Sequence, residues 1–319
     1  MNSTWRTACV LYALVTLVSA AHAAETESEA LARARTANRA RDFATSLAIY
    51  REWSEHGSGT ARTLLGVMYW GGAGVAKDHK HACDLFAEAE KKSDPNGTEL
   101  LADCFFHGDG RPQDYTQSAE LYSRAAHRGM AEADCALGNQ YLVGLGVPKD
   151  PVKAFSLCRQ SAEQGVPDAQ TDVGQMYLSG NGVERSSKQA ALWFQKATEQ
   201  GQPNAALILG TMRWNGDGVE RNHDLAASAW YVAAQRGNTS APALLAKYYF
   251  AASVEADKKQ VRADPGTKAV FWATVATHID TDPGVRQASQ KLLDTLLGVA
   301  PELKAAADDM LARRTIPPL

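Results

Sequence analysis

No long apolar run follows the first two dozen residues of this 319-residue chain. The one uncharged apolar stretch, residues 8–18, is about half of the roughly 20 residues a bilayer-spanning helix needs. No charge of one sign dominates either. Lys and Arg number 33 against 36 Asp and Glu, a net charge of −3, so the basic excess of a dedicated nucleic-acid binder is missing. There is no HExxH helix, no GxSxG elbow and no P-loop, and no serine has a lysine three residues later. No segment alternates apolar and polar residues as a half-buried strand does. These absences exclude most hydrolase and nucleotide chemistry and leave an all-helical, non-enzymatic reading. What remains, 45% hydrophobic and 22% charged, is enough to build a core.

The amino terminus reads as a targeting segment. Arg6 precedes the apolar run, and Ala21-His22-Ala23 places small residues where a signal peptidase cuts. A cleavable signal peptide over residues 1–23 is expected, with an uncleaved anchor as the alternative. The mature chain, 24–319, is then periplasmic or secreted. It keeps Cys83, Cys104, Cys135 and Cys158, an even number that suits disulfides in an oxidising compartment.

The chain repeats itself every 36 residues. Leu65-Gly66, Leu101-Ala102, Leu137-Gly138, Val173-Gly174, Leu209-Gly210 and Leu245-Ala246 stand in register, with Tyr69, Phe105, Tyr141, Tyr177, Arg213 and Tyr249 three residues on. Glycine pairs follow, from Gly72/Gly74 to Gly216/Gly218, then Asp78, Asp114, Asp150, Ser186 and Asn222. Each column has a physical role. The small residue lets two helices approach, and the glycine pair ends the first helix and turns the chain. Asp, Ser or Asn then caps the second helix by accepting from an unpaired backbone N–H. One unit is therefore helix A, a tight turn and helix B. A single such hairpin cannot bury its own apolar face, so the units must stack, giving an all-α, α/α solenoid (superhelix) of antiparallel helix-turn-helix repeats. The expected layout is a cap and half repeat over 24–58, five full repeats over 59–237, an atypical sixth over 238–282 and capping helices over 283–319. The cap helices are expected over 25–40 and 43–55. In the sixth unit, helix A over 241–252 is followed, after a charged loop over 254–267, by a late helix over 268–278. Two closing helices are expected over 285–297 and 301–313.

The third unit reads Ala133, Leu137-Gly138, Tyr141, Gly144, Gly146-Val147, Asp150, Lys153-Ala154 and Gly165. This pattern resembles the SEL-one-like repeat (SLR) family, a relative of the tetratricopeptide repeats, over roughly residues 42–278. The second unit departs most, and the fifth has Arg213 at the Tyr position. The resemblance implies a scaffold or adaptor of the bacterial periplasm or cell envelope that holds another protein, without a cofactor, a metal or insertion of the mature chain into a membrane. The family also contains immunity proteins that neutralise secreted antibacterial toxins, which is the alternative role. Its cysteine-rich members have been linked to β-lactam binding, a role the missing SxxK argues against.

By analogy with the tetratricopeptide relatives, a partner would lie on helix A positions counted from the Leu-Gly pair. Those positions are Trp70, Glu99, Asp103, Phe106, Asn139, Gln175, Thr211 and Trp214, with Cys135, Thr171 and Lys247 in the same frame. They are mostly acidic or neutral, so a neutral or basic segment is the expected occupant. Trp70, Phe106 and Trp214 are its anchors, or else they pack on their own glycine turns.

Cys83 on a helix B and Cys104 on the next helix A come to similar height in antiparallel packing, as do Cys135 and Cys158. The expected bridges are Cys83–Cys104 and Cys135–Cys158, each adding roughly 3 kcal/mol in the chain-entropy picture. Four thiols are the alternative. His79-x-His81-x-Cys83 resembles a ligand cluster, but residues two apart on a helix face different sides, and no zinc site is expected there.

Overall fold

A computed structural model describes residues 25–254, 263–313 and 316–317. The expected signal peptide, 1–23, lies outside them, as do residues 255–262 of the charged loop. Among the described residues there are sixteen helices and no strand, as the all-α reading requires. None is long and apolar enough to cross a membrane.

The contacts divide the chain into two compact units, Met1–Met130 and Ala131–Leu319. The first holds α1 (Glu27–Arg39), α2 (Phe43–Glu55), α3 (Gly59–Gly71), α4 (His79–Glu90), α5 (Pro95–His107) and α6 (Tyr115–His127). The second holds α7 (Ala131–Val143), α8 (Pro151–Glu163), α9 (Pro167–Ser179), α10 (Ser187–Glu199), α11 (Pro203–Asn215), α12 (His223–Gln235) and α13 (Ala241–Ser253). It ends with α14 (Ala263–Ile279), α15 (Pro283–Val299) and α16 (Leu303–Ala312).

The repeat columns form the hairpins. Asp78, Asp114, Asp150, Ser186 and Asn222 each accept a backbone N–H from the first turn of the helix they precede, as Asp42 does for α2. The N–H of each of the five in turn donates to the carbonyl of Tyr69, Phe105, Tyr141, Tyr177 or Arg213, closing the turn back on helix A. Within each unit, successive repeats also meet at the second glycine of a pair, as at Gly110, Gly182 and Gly218. A Cβ on Gly110 would lie 2.4 Å from the carbonyl oxygen of His79, and one on Gly182 would lie 1.9 Å from that of Pro151. The glycine is required twice over, by its positive φ and by the backbone of the preceding helix B pressed against it.

The core lies where helix B covers the small residue of helix A. Phe86, Tyr122, Cys158, Phe194 and Trp230 stand 36 apart and are buried. Phe86, Phe194 and Trp230 lie directly over Gly66, Gly174 and Gly210. At the start of the first unit, Leu31, Leu47, Tyr50, Leu65 and Met68 form one cluster. At the end of the second, Trp230, Leu245, Tyr249, Phe271, Trp272, Leu296 and Leu303 draw α12 to α16 together. The late helix begins at Ala263, five residues before the expected 268, because an extra turn precedes its apolar face. Arg213, at a Tyr position, is half-buried. It donates to the Gln195 side chain and, at 3.4 Å, to the Leu225 carbonyl, so its guanidinium fills the place of a ring.

Candidate functional site

The helix A positions fall into three environments. The residue after the small position is exposed at Val67, Asn139, Gln175, Thr211 and Lys247, and half-buried at Asp103. The residue three before the small position turns inward. Thr63, Cys135, Thr171 and Ala243 are buried, and Glu99 and Leu207 are half-buried. Cys135 and Thr171, placed in the groove by the mapping, therefore belong to the packed interior. The reason is that this face of helix A meets the next repeat: Thr63 donates to Asp94, the N-cap of α5, at 2.9 Å.

The aromatics four residues after the small position are all half-buried, and Trp70, Phe106 and Trp214 each pack on a ring of helix B. Trp70 lies flat on His79, centroids 4.2 Å apart, and Trp214 on His223 at 4.1 Å. Phe106 meets Tyr115 edge-on at 5.4 Å. Each partner is the first residue of helix B, carried there by the glycine turn. The two tryptophan stacks use one face of each indole in packing.

Asp103 accepts a short hydrogen bond from the Tyr122 hydroxyl. Burial pushes the Asp103 carboxyl above the ordinary carboxylate range, against the lowering effect of that bond and of nearby His107. Burial first, and the Asp103 charge second, push the Tyr122 phenol well up. The pair thus prefers to hold its protons. Because the folded carboxyl binds a proton more tightly than the unfolded one, this site favours folding below the ordinary carboxylate pKa. That contribution is lost as pH rises through the raised value. Asp103→Asn is accordingly expected to be destabilising at pH 4 relative to its effect at pH 7, where removing the buried charge relieves the chain. Urea midpoints at the two pH values test the sign, and an equal effect at both would refute it.

Both expected bridges are present. Cys83 on α4 is bonded to Cys104 on α5, and Cys135 on α7 to Cys158 on α8. Cys83 is thus unavailable to His79, whose ring is against Trp70, and His81 packs on Tyr69. One residue escaped the sequence reading. Asp172 on α9 is 3.4 Å from Cys135 Sγ and accepts from Asn139 Nδ2 at 2.9 Å. Burial, followed by the opposing Asn139 bond, leaves its carboxyl above the usual range. The signal was there: Asp172 stands in the column of Leu64, Leu100, Ala136, Ile208 and Leu244.

In the second unit the exposed helix A row ends at α13, where Ala243, Lys247 and Phe250 share a shallow hollow of about 260 Å³ with Ala288, Leu292 and Thr295 of α15.

Comparison with known proteins agrees with this architecture. No curated protein matches the chain. Among solved structures it is similar to c5321, a protective antigen present in uropathogenic Escherichia coli strains displaying an SLR fold, with 24% identity and a TM-score of 0.60. That likeness covers 85% of this chain and 60% of c5321, so the chain spans less than two thirds of that protein. It is also similar to a Sel1 repeat protein from Oxalobacter formigenes, with 22% identity and a TM-score of 0.64 over 80% of this chain and 99% of that one. A looser likeness, at 18% identity and a TM-score of 0.44, links 74% of the chain to 82% of the immunity protein Pa5087 from Pseudomonas aeruginosa. The Sel1 repeat model matches residues 59–94, 97–130, 131–166, 167–202 and 203–238, more than half of the sequence and in the phase of the helical hairpins, so the chain belongs to the Sel1 repeat family.

Proposed function

We propose that this protein is an extracytoplasmic scaffold that binds another protein along helix A and performs no catalysis. The observation that carries the reading is one exposed row in the second unit. Asn139, Gln175 and Thr211, on α7, α9 and α11, are exposed at 36-residue spacing and are all neutral hydrogen-bonding groups. Such a row suits the backbone and polar side chains of a neutral or basic segment. Trp214, and Trp70 and Phe106 in the first unit, offer ring edges and apolar surface beside their helix A positions. Glu99, half-buried on α5, adds an acidic group to helix A of the first unit. The two disulfides fit an oxidising compartment, in line with the targeting segment expected over residues 1–23.

The test uses exposed positions, because alanine at the stacked aromatics would also disturb packing. Gln175→Arg combined with Thr211→Arg should leave helix content and stability within about 0.5 kcal/mol of wild type, as surface substitutions do. It should lower partner capture from an envelope extract at least tenfold by placing two cations where a neutral or basic segment lies. Equal capture by both forms would remove binding from this row. The identity of the captured protein then chooses between roles, a resident envelope component supporting the adaptor and a secreted antibacterial enzyme the immunity protein.

A further inference from the structure

We propose that the Cys135–Cys158 bridge, once reduced, becomes with Asp172 a site for a zinc-class divalent cation. The first argument comes from the repeat itself. Each repeat predicts what its neighbours should carry, so departures are informative. Cys135 stands in the column of Thr63, Glu99, Thr171, Leu207 and Ala243. Cys158 replaces the aromatic found in the other four full repeats, and Asp172 replaces an apolar residue. These two departures, with Cys135 in a column of mixed residues, come from three helices and two repeats, yet they meet at one point.

The second argument is geometric. The two sulfurs and a carboxylate oxygen of Asp172 all lie within 4.8 Å of one another. Zinc bonds of about 2.3 Å to sulfur and about 2.1 Å to oxygen place neighbouring ligands of a tetrahedral site about 3.5 Å apart. The Cys135 Sγ to Asp172 Oδ2 separation is 3.4 Å. Asn139 Nδ2 donates to that same carboxylate oxygen at 2.9 Å, the orienting contact that ligating carboxylates ordinarily have. Asn139 Oδ1 is 3.9 Å from Cys158 Sγ and could complete the set, or water could.

The third argument is energetic. Burying a carboxylate costs stability unless a positive charge or a full set of donors offsets it. Asp172 accepts one hydrogen bond, from the Asn139 amide, its other close neighbour is a disulfide sulfur with no proton to donate, and nearby Asp168 adds like charge. A divalent cation would reverse that balance. The other bridge is a built-in contrast. Among the described residues no third ligand of this kind joins Cys83 and Cys104, and Cys83 Sγ instead faces the Asp109 carbonyl at 3.1 Å.

The chemistry balances with an external dithiol. It gives two electrons and two protons to the Cys135–Cys158 bond, becoming a disulfide itself. The two thiols then release their protons as the cation binds. An external disulfide, taking two electrons from the thiolates and two protons from water to become a dithiol, reforms the S–S bond and expels the metal, so bridge and metal exclude one another.

The experiment is zinc titration of the full chain against a chromophoric chelator, in oxidised protein and in protein reduced by a phosphine, with helix content followed throughout. Cobalt(II) uptake provides a second readout, a thiolate charge-transfer band. The expected result is one equivalent of zinc in the reduced chain, none in the oxidised chain, and a cobalt band reporting two thiolates. Cys83→Ser with Cys104→Ser should retain both signals, and Asp172→Asn should weaken zinc at least tenfold while still folding. A reduced chain that takes up no zinc, or that unfolds instead of binding it, overturns the proposal. Binding retained in Cys135→Ser, or unchanged in Asp172→Asn, overturns it equally.

Discussion

Alanine at Gly182 is expected to cost the second unit about 3 kcal/mol or more. Two effects add there. The backbone has φ of +72°, in the left-handed region that costs an L side chain roughly 1–2 kcal/mol. The new Cβ would also stand 1.9 Å from the Pro151 carbonyl oxygen and 2.4 Å from its carbon. Pro151 is the first residue of α8, held by the Asp150 cap and by proline's fixed φ, so it yields little. Gly165→Ala is the control. Its φ is +96°, but nothing lies within 4 Å of its added Cβ, so it should lose only the conformational part, about 1–2 kcal/mol. Denaturant midpoints by circular dichroism compare the two. Equal losses would mean that the contact between the turn and the preceding helix B contributes nothing, against this account of how repeats meet.

Phe194→Ala should cost a similar or greater amount, about 3–5 kcal/mol, the usual range for a fully buried phenylalanine. Its ring lies over Gly174, where an added Cβ would come within 2.7 Å of Cε1. Gly174→Ala alone is therefore expected to destabilise by overpacking, about 1–3 kcal/mol. The decisive result is the double variant. With the ring gone, the alanine methyl enters the space it leaves, so the combined loss should fall below the sum of the two by at least about 1 kcal/mol. Strict additivity would show that the ring and the glycine do not form one contact.

Much of this architecture was legible because the repeat writes it locally. Helix α2 occupies the expected residues 43–55. The capping residues Asp42, Asp78, Asp114, Asp150, Ser186 and Asn222 act only on the turn that follows them, so spacing alone located them. Both cysteine pairs were readable too, since both join consecutive antiparallel helices, one pair within a hairpin and the other between neighbouring hairpins, whose relative height follows from residue count. The start of α14 was less legible. Its first turn precedes the apolar face, and periodicity registers only the apolar part.

The candidate surface divides along the same line. The sequence determined which residues share a helix face, and thus the exposed row of Asn139, Gln175 and Thr211. It left two readings for Trp70, Phe106 and Trp214, and only the folded chain shows each ring packed against the first residue of helix B, the two indoles stacked and Phe106 edge-on. Nor could it bring Asp172 to the Cys135–Cys158 bridge, because that contact joins α7 to α9, two helices that are not consecutive in the chain. A period of 36 fixes each residue's place within its own hairpin, by local backbone geometry and capping. Which side chains meet between hairpins depends on how closely two helices approach, and that is set by the side chains packed between them.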